Sequence, residues 1–226
     1  MLKQRVLRFA ERLTDTRIYP AWKITERGID LYRDLNELNT PITTVFDVGA
    51  NVGQSTVRYL REFPGAQIHA FEPVDSLFAQ LDKIQNPLLK KHRLALGSRS
   101  TQGFIENHGE MSKLSDHGEP VTIETLDAFC LDIPKISFLK IDTEGSDLEV
   151  LKGASLLLAE KRVDVIQVEA GMNRLNNHHV PIQEFLAFLE PRGYFLFGIY
   201  EQVNEWPSGQ PHLRRSNLVF IPLRTA

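Results

Sequence analysis

From about residue 41 onward the chain alternates two hydrophobic rhythms. Short runs rich in β-branched and aromatic residues, such as Thr43-Thr44-Val45-Phe46-Asp47-Val48 and Gln67-Ile68-His69-Ala70-Phe71-Glu72, are each followed by a stretch with apolar residues three and four apart. Strand followed by helix, repeated, predicts a mainly parallel sheet covered by helices, an α/β fold. The pattern predicts strands over about 43–48, 67–72, 92–96, 136–141 and 163–168, and two final strands near 193–200 and 217–222. Helices are predicted over about 52–63, with Val52, Thr56, Leu60 and Phe63 on one face, over 75–84, 125–131 and 181–190, and after Gly145 through Leu148, Leu151 and Leu158. Ile182, Phe185, Leu186 and Leu189 sit at i, i+3, i+4 and i+7, an amphipathic stripe that stops at Pro191.

Residues 1–40 follow another pattern and are read as an N-terminal helical extension to a domain of residues 41–226. Leu2, Val6, Phe9 and Leu13 form one stripe, Pro20 interrupts, and Ile24, Leu31, Leu35 and Leu38 form a second. The first 27 residues carry seven Lys or Arg against three Asp or Glu. A helical cap packed on the main domain is favoured over docking on an anionic membrane surface, because the stripe is narrow and poor in aromatics. Residues 97–120 break the strand–helix rhythm with Gly97, Gly103, Gly109 and Gly118, and the polar run 107–118 is too long for a plain connection. A surface loop and a substrate-gating lid both remain open for it. Val121–Glu124 alternates as an exposed strand.

The 226 residues suit one α/β domain with a small extension, and the 42% hydrophobic content supplies a sizeable core. A net charge of −3 and a pI near 6.2 give no global field for nucleic acid. Cys130 stands alone, so no internal disulfide framework exists, and a small core residue is expected there. No stretch approaches the roughly 18 apolar residues of a membrane span, and no signal-peptide core is visible. A soluble, cytoplasmic protein is expected.

The chemistry is expected at the strand ends. Ligands of open parallel sheets bind outside the carboxyl ends of the strands, at the point where strand order reverses. Asp47, Glu72, Asp142 and Glu169 all fall at predicted strand ends. Carboxylates gathered on one edge repel unless a ligand, cation or proton offsets them. After Asp47 the turn Val48-Gly49-Ala50-Asn51-Val52-Gly53 opens a helix, with glycines where the backbone must turn sharply. An acid at that turn disfavours phosphate and favours a nucleotide with a cationic head. Glu72 lies 23 residues beyond Gly49, about where dinucleotide folds place a ribose-binding acid, and Pro73 fixes its pose. The G-x-x-x-G turn alone is a weak motif.

Several motifs in register are more specific. Asp47-Val-Gly-Ala-Asn-Val-Gly53, Phe71-Glu72-Pro73, Ala95-Leu96-Gly97, Thr125-Leu126-Asp127, Lys140-Ile-Asp-Thr-Glu-Gly145, Leu151-Lys152-Gly153-Ala154 and Val168-Glu169 resemble the FkbM family of S-adenosylmethionine-dependent methyltransferases. The resemblance spans about residues 44–170. It implies a Rossmann-like class I methyltransferase fold, with a seven-stranded, mostly parallel sheet and an antiparallel last strand. It also implies O-methylation, commonly of sugar or polyketide hydroxyls. By position Asp47, Gly49, Ala50, Asn51 and Gly53 would hold the methionine part of the cofactor, Glu72 and Pro73 its ribose, and Ala95 and Leu96 its adenine, with Asp142 beside it. Asn51 departs from the glycine of many other methyltransferases, and no acid follows the third strand for the adenine amino group.

Methyl transfer from a sulfonium to a hydroxyl needs alignment above all, and a base near the oxygen. Asp142 and Glu144 are the first candidates. His178 and His179, in the loop after the fifth strand, are the second. His69, inside a strand, is expected to be a core histidine. Asp142, Glu144 and Glu169 offer oxygens to a divalent metal, but no spacing here is diagnostic, and no metal is assigned. Tyr200, Trp206, Arg214 and Arg215 form a candidate wall for a glycan. The leading reading is a methyltransferase acting on the hydroxyl of a sugar or other small acceptor. The alternatives are a nicotinamide-dependent oxidoreductase, which the acid at the glycine turn and the missing third glycine disfavour, and a non-catalytic cofactor-binding module.

Overall fold

The computed structural model describes residues 27–106, 113–204, 209 and 211–223. The stripe from Leu2 to Leu13, Pro20, Ile24, the first half of the polar run (107–112) and Trp206 lie outside the described residues. The first element among the described residues is α1 (Leu31–Asn36), whose N-cap Asp30 accepts hydrogen bonds from the backbone N–H groups of Tyr32 and Arg33. Then come β1 (Thr44–Val48), α2 (Gln54–Glu62), β2 (Gln67–Phe71), α3 (Asp75–Leu81) and β3 (Leu89–His92). A second group holds β4 (Ala95–Leu96), β5 (Thr101–Glu106), β6 (Lys113–Ser115) and β7 (Glu119–Glu124). The rest is α4 (Leu126–Phe129), β8 (Phe138–Ile141), α5 (Asp147–Lys152), α6 (Ser155–Ala159), β9 (Ile166–Gly171), α7 (Ile182–Leu189), β10 (Tyr194–Val203) and β11 (Arg215–Pro222).

The main sheet has seven strands in the order β10-β11-β9-β8-β1-β2-β3. β11, the last in sequence, is antiparallel to both of its neighbours, and the pairs among β3, β2, β1, β8 and β9 are parallel. This is the Rossmann-like arrangement expected of the sequence. The β1, β2, β8 and β9 segments are almost continuously buried, as strands covered on both faces must be, and Asp47, His69, Lys140, Gln167 and Glu169 are the polar residues buried within them. One face packs Phe46, Phe71, Leu139, Ile166 and Phe220 against Leu126, Leu151, Leu158, Phe185 and Leu189. The other packs Val45, Ile68, Phe138 and Val219 against Leu35, Tyr59, Phe63 and Leu81. Leu35 of α1 is therefore core, as its stripe predicted. Cys130 is buried, and burial pushes its thiol up to about 12.

Four expectations change. The third parallel strand is Leu89–His92, and Ala95–Leu96 is a separate strand. The turn-rich segment 97–120 is largely β structure, since β4, β7, β5 and β6 form a second sheet in that order. Gly118 marks a hairpin corner, where a Cβ at φ +120 would fall 2.3 Å from the Ile105 carbonyl oxygen, and Gly103 lies inside β5. The helix after Gly145 breaks into α5 and α6 at Gly153, where a Cβ would lie 2.0 Å from the Gly97 carbonyl oxygen. The fifth strand runs on to Gly171, so Glu169 lies inside it and not at its end. His69 is a core residue as expected. It stacks on Phe46 and its Nδ1 lies 3.2 Å from Nε2 of His92, and burial lowers both imidazoles to about 4. Among the described residues, no helix is long and apolar enough to cross a membrane.

Strand order reverses between β1 and β8, which opens a crevice at their carboxyl ends. Gly49 makes the crossing possible. Its φ is +77, and a Cβ there would stand 1.9 Å from the Asp142 carbonyl oxygen. Gly49→Ala should therefore lower stability by roughly 3 kcal/mol, from overpacking and left-handed strain combined. Thermal melting should show this as a fall of roughly 6–12 °C in a protein of this size.

Candidate functional site

A cavity of about 540 Å³ lies outside the carboxyl ends of β1, β2 and β8. One half is apolar, walled by Phe71, Val74, Leu77, Ala95, Leu96 and Ile105. The second sheet supplies part of that wall through a small cluster of Val74, Ala95, Ile105 and Val121. The other half carries Asp142, Glu144, Glu169, His179, Arg214 and Arg215. Gly49, Ala50, Asn51, Glu72 and Pro73 lie along the wall as well, and His178 joins the polar end.

Two sequence candidates do not reach the cavity. Asp47 is fully buried, and its carboxylate accepts the Thr56 hydroxyl at 2.6 Å and faces Lys140 Nζ at 3.2 Å. Gly53 (φ +95) is the N-cap of α2 and packs against Ile84 and Leu81. Both sit behind the wall and shape it. The expectation of a bare negative charge at the glycine turn is also corrected, because Lys140 offsets Asp47.

Lys140 is the residue the sequence reading missed. It projects from β8, paired in register with Asp47 of β1. Its ammonium is buried and lies 3.2 Å from Asp47, 3.4 Å from Asp142 and 3.2 Å from the Gly49 carbonyl oxygen, to which it donates. Burial disfavours the charge, but Asp47 and Asp142 outweigh burial and raise its pKa. The signal was a lone Lys in an otherwise apolar strand.

Glu72 holds the glycine turn. Its two carboxylate oxygens accept the backbone N–H groups of Asn51 and Val74, each at 2.9 Å. Asn51 adopts φ +54, and its Oδ1 accepts the N–H of Val52 at 2.7 Å. Burial raises the Glu72 pKa, and the two backbone bonds and Lys140 work against that.

The turn after β8 is strained and pinned from below. Glu144 has φ +51 and Gly145 φ +103. Asp147, 2% exposed, accepts the N–H and hydroxyl of Thr143 at 3.4 and 3.3 Å and the N–H of Gly145 at 3.2 Å. Burial, helped by Asp142, pushes the Asp147 carboxyl up to about 6. Burial also raises Glu144, and Asp142 adds to the rise. Asp147 too was missed, because an acid in a first helical turn reads as a dipole partner.

On the far side, Glu169 is already paired. Its oxygens meet Arg215 Nη1 and, at 2.6 Å, His179 Nε2. Asn176, buried, receives the backbone N–H groups of His178 and His179 on its Oδ1 and lies 3.0 Å from His179 Nδ1 through Nδ2. Both ring nitrogens of His179 are thus engaged, and burial lowers its pKa. Oxygens of Asp142, Glu144 and Glu169 lie within 4.8 Å of one another and could take a divalent cation. Asp142 and Glu169 have cationic partners already, so the set carries no metal assignment. The expected wall of Tyr200 with the arginine pair does not form, since Tyr200 turns away and donates to Asp34 at 2.9 Å.

A family model, Methyltransferase FkbM domain, matches residues 47–196. The chain belongs to this family. The FkbM fold and membership make it an S-adenosylmethionine-dependent methyltransferase, and the nicotinamide and non-catalytic readings are set aside. Hexuronic acid methyltransferase AglP of Haloferax volcanii is 28% identical over 181 residues, covering 73% of each chain. Methyltransferase 1 of Beauveria bassiana is 22% identical over 142 residues, covering 48% of this chain and 57% of that protein. A putative S-adenosylmethionine-dependent methyltransferase from Listeria monocytogenes has the same fold, with a TM-score of 0.51 at 7% identity over 84% of this chain and 97% of that one.

The FkbM cavity fits such a cofactor in its chemistry: a glycine turn too tight for a Cβ, a buried carboxylate beside it and an apolar recess beyond. Three measurements follow. S-adenosylhomocysteine at ~100 times its dissociation constant should add about 2.7 kcal/mol of stability. Glu72→Ala, which orphans two N–H groups at roughly 1–3 kcal/mol each, should lower both the melting temperature and that ligand-induced gain. Lys140→Met should cost roughly 3–5 kcal/mol by stranding Asp47. Chemical denaturation should read this loss, and Lys140→Arg, which keeps a cation there, should cost less.

Proposed function

We propose that this enzyme methylates a hydroxyl oxygen of a sugar or glycan. The observation that carries the reading is the division of one cavity into an apolar half and an acidic, cationic half meeting at Glu72 and Asp142. Residues 41–226 carry the chemistry in this reading, with 1–40 as an extension. S-adenosylmethionine, when bound, supplies an electrophilic methyl group on a sulfonium. Ala95 and Leu96 would flank the adenine, Glu72 would accept the ribose hydroxyls on its remaining lone pairs, and Gly49 to Asn51 would border the methionine part. Asp142, held by Lys140, would face the ammonium of that part.

The acceptor would then lie at the β8 and β9 end. Arg214 and Arg215 there suit an acceptor bearing a carboxylate as well as hydroxyls. The relative acting on hexuronic acid by name supports a sugar of that kind. Of the candidate bases, Glu144 is favoured. Asp142 is ion-paired and His179 is bonded at both nitrogens, while His178 is exposed. Among the described residues, Glu144 alone of the acids on the cavity wall at that end makes no salt bridge or hydrogen bond through its carboxylate, though His179 and Arg215 lie within electrostatic reach, and its backbone strain fixes its direction. Its raised pKa makes it a stronger base than an ordinary carboxylate. Much of the rate would come from alignment, with the base adding typically 10²–10⁴-fold.

The test is methyl transfer from S-adenosylmethionine to uronic-acid-containing glycans, read by mass spectrometry. Glu144→Gln should keep S-adenosylhomocysteine affinity and lose about 10²-fold or more of turnover, and His178→Ala should keep most of it. Wild-type activity should fall as pH drops through the raised Glu144 pKa, because the protonated acid cannot accept the hydroxyl proton. Loss of activity in EDTA, restored by Mg²⁺, would instead bring the Asp142, Glu144 and Glu169 oxygens together around a metal. A methyl group found only on nitrogen or carbon acceptors would overturn the reading.

A further inference from the structure

A second cavity, of about 520 Å³, opens behind the first and shares Gln54, Ser55, Lys140 and Asp142 with it. Its size lies within the roughly 300–1,000 Å³ range of small-molecule sites. It is roofed by residues 29–32 and floored by Tyr59, Gln167 and Asn217. One polar group on that floor lacks a partner among the described residues. Gln167 is only 8% exposed, and its Oε1 is buried with no hydrogen bond. Tyr59 lines the same floor and is 3% exposed. Native structures rarely leave such groups unsatisfied without a ligand or water to meet them.

The charges of this cavity are spent on one another. Arg58 pairs with Glu201 at 3.4 Å, Asn217 donates to the same carboxylate at 2.6 Å, and Lys140 is taken by Asp47 and Asp142. Asp30 caps α1. With no free cation among the described residues that line it, the cavity does not suit a phosphate or carboxylate. Uncharged hydrogen-bonding groups beside the rings of Tyr32 and Tyr59 suit a neutral, polyhydroxylated ring. The two cavities also follow one strand. Glu169, in the first, and Gln167, in the second, are two residues apart on β9 and so share a face, with Asn217 opposite Glu169 in register.

Resting on the acceptor reading above, we propose that the acceptor is an oligosaccharide of at least two units. The unit being methylated lies at Glu144 and Arg215, and a neighbouring neutral sugar is held in the second cavity by Gln167 and Tyr59. Specificity for chain over free sugar then comes from residues that touch neither the cofactor nor the reacting oxygen.

The experiment is saturation-transfer NMR on full-length protein saturated with S-adenosylhomocysteine, with cellobiose and glucuronic acid as probes. Wild type should give signals with both. Gln167→Leu and Tyr59→Phe should each reduce the cellobiose signal severalfold and leave the glucuronic acid signal and S-adenosylhomocysteine affinity unchanged. Tyr59→Phe removes a single hydroxyl, so it decides the matter if Gln167→Leu fails to fold. Cellobiose bound equally by wild type and variants, or not bound while glucuronic acid is, overturns the second site and leaves the acceptor reading standing. Neither sugar binding overturns both.

Discussion

One buried ammonium holds the crevice together. Strands β1 and β8 diverge in their connections, and at their carboxyl ends they bring Asp47, Asp142 and the Gly49 carbonyl to one point. Three groups with negative charge or partial charge in a water-poor space would push the strands apart. Lys140 answers all three. The cost of burying it is met only because its partners are fixed by the sheet register, so the pair Asp47↔Lys140 is as much a consequence of topology as of sequence. Each further feature of the site leans on it. The glycine turn keeps its approach to Asp142, and Asp142 keeps its carboxylate toward the cavity with its charge shared.

Around that point the molecule builds asymmetry. A second small sheet closes the β2 side with apolar side chains, and polar loops close the β9 side with paired charges. A ligand that is flat and apolar at one end and ionic at the other is therefore oriented before any single contact is made. The strained turn at Glu144, braced by Asp147, sets at the junction one carboxylate that makes no salt bridge among the described residues. Glu169, His179 and Asn176 do the opposite: they are held by one another and give the β9 end of the cavity its floor.

Much of this was legible in the sequence, and the failures have physical causes. The alternation of strand and helix reported the parallel sheet because β1, β2, β8 and β9 are buried on both faces, and their β-branched and aromatic residues stand out from the helical stripes between them. The glycine turn, Glu72 and the Ala95-Leu96 pair were readable because backbone geometry restricts which residues fit. The second sheet was not, since strands such as Thr101–Glu106 are half exposed and their glycines look like loop. Lys140 and Asp147 were missed because their meaning lies in partners 93 and four residues away, Asp47 and Thr143. Asp47 was placed on the wrong side of the wall: a strand-end acid reads as ligand-facing until its partner is known. His179 was read as a free base because nothing local announces that Glu169 and Asn176 hold both of its nitrogens.

The account turns on the direction in which the cofactor lies across the strand ends. A crystal structure of the S-adenosylhomocysteine complex measures it directly. The account predicts both ribose hydroxyls within hydrogen-bonding distance of Glu72, the adenine between Leu96 and Ile105, and the sulfur facing the Glu144 and Arg215 end. A ligand lying the other way, with its adenine among Glu144, His178 and Arg215, would contradict it.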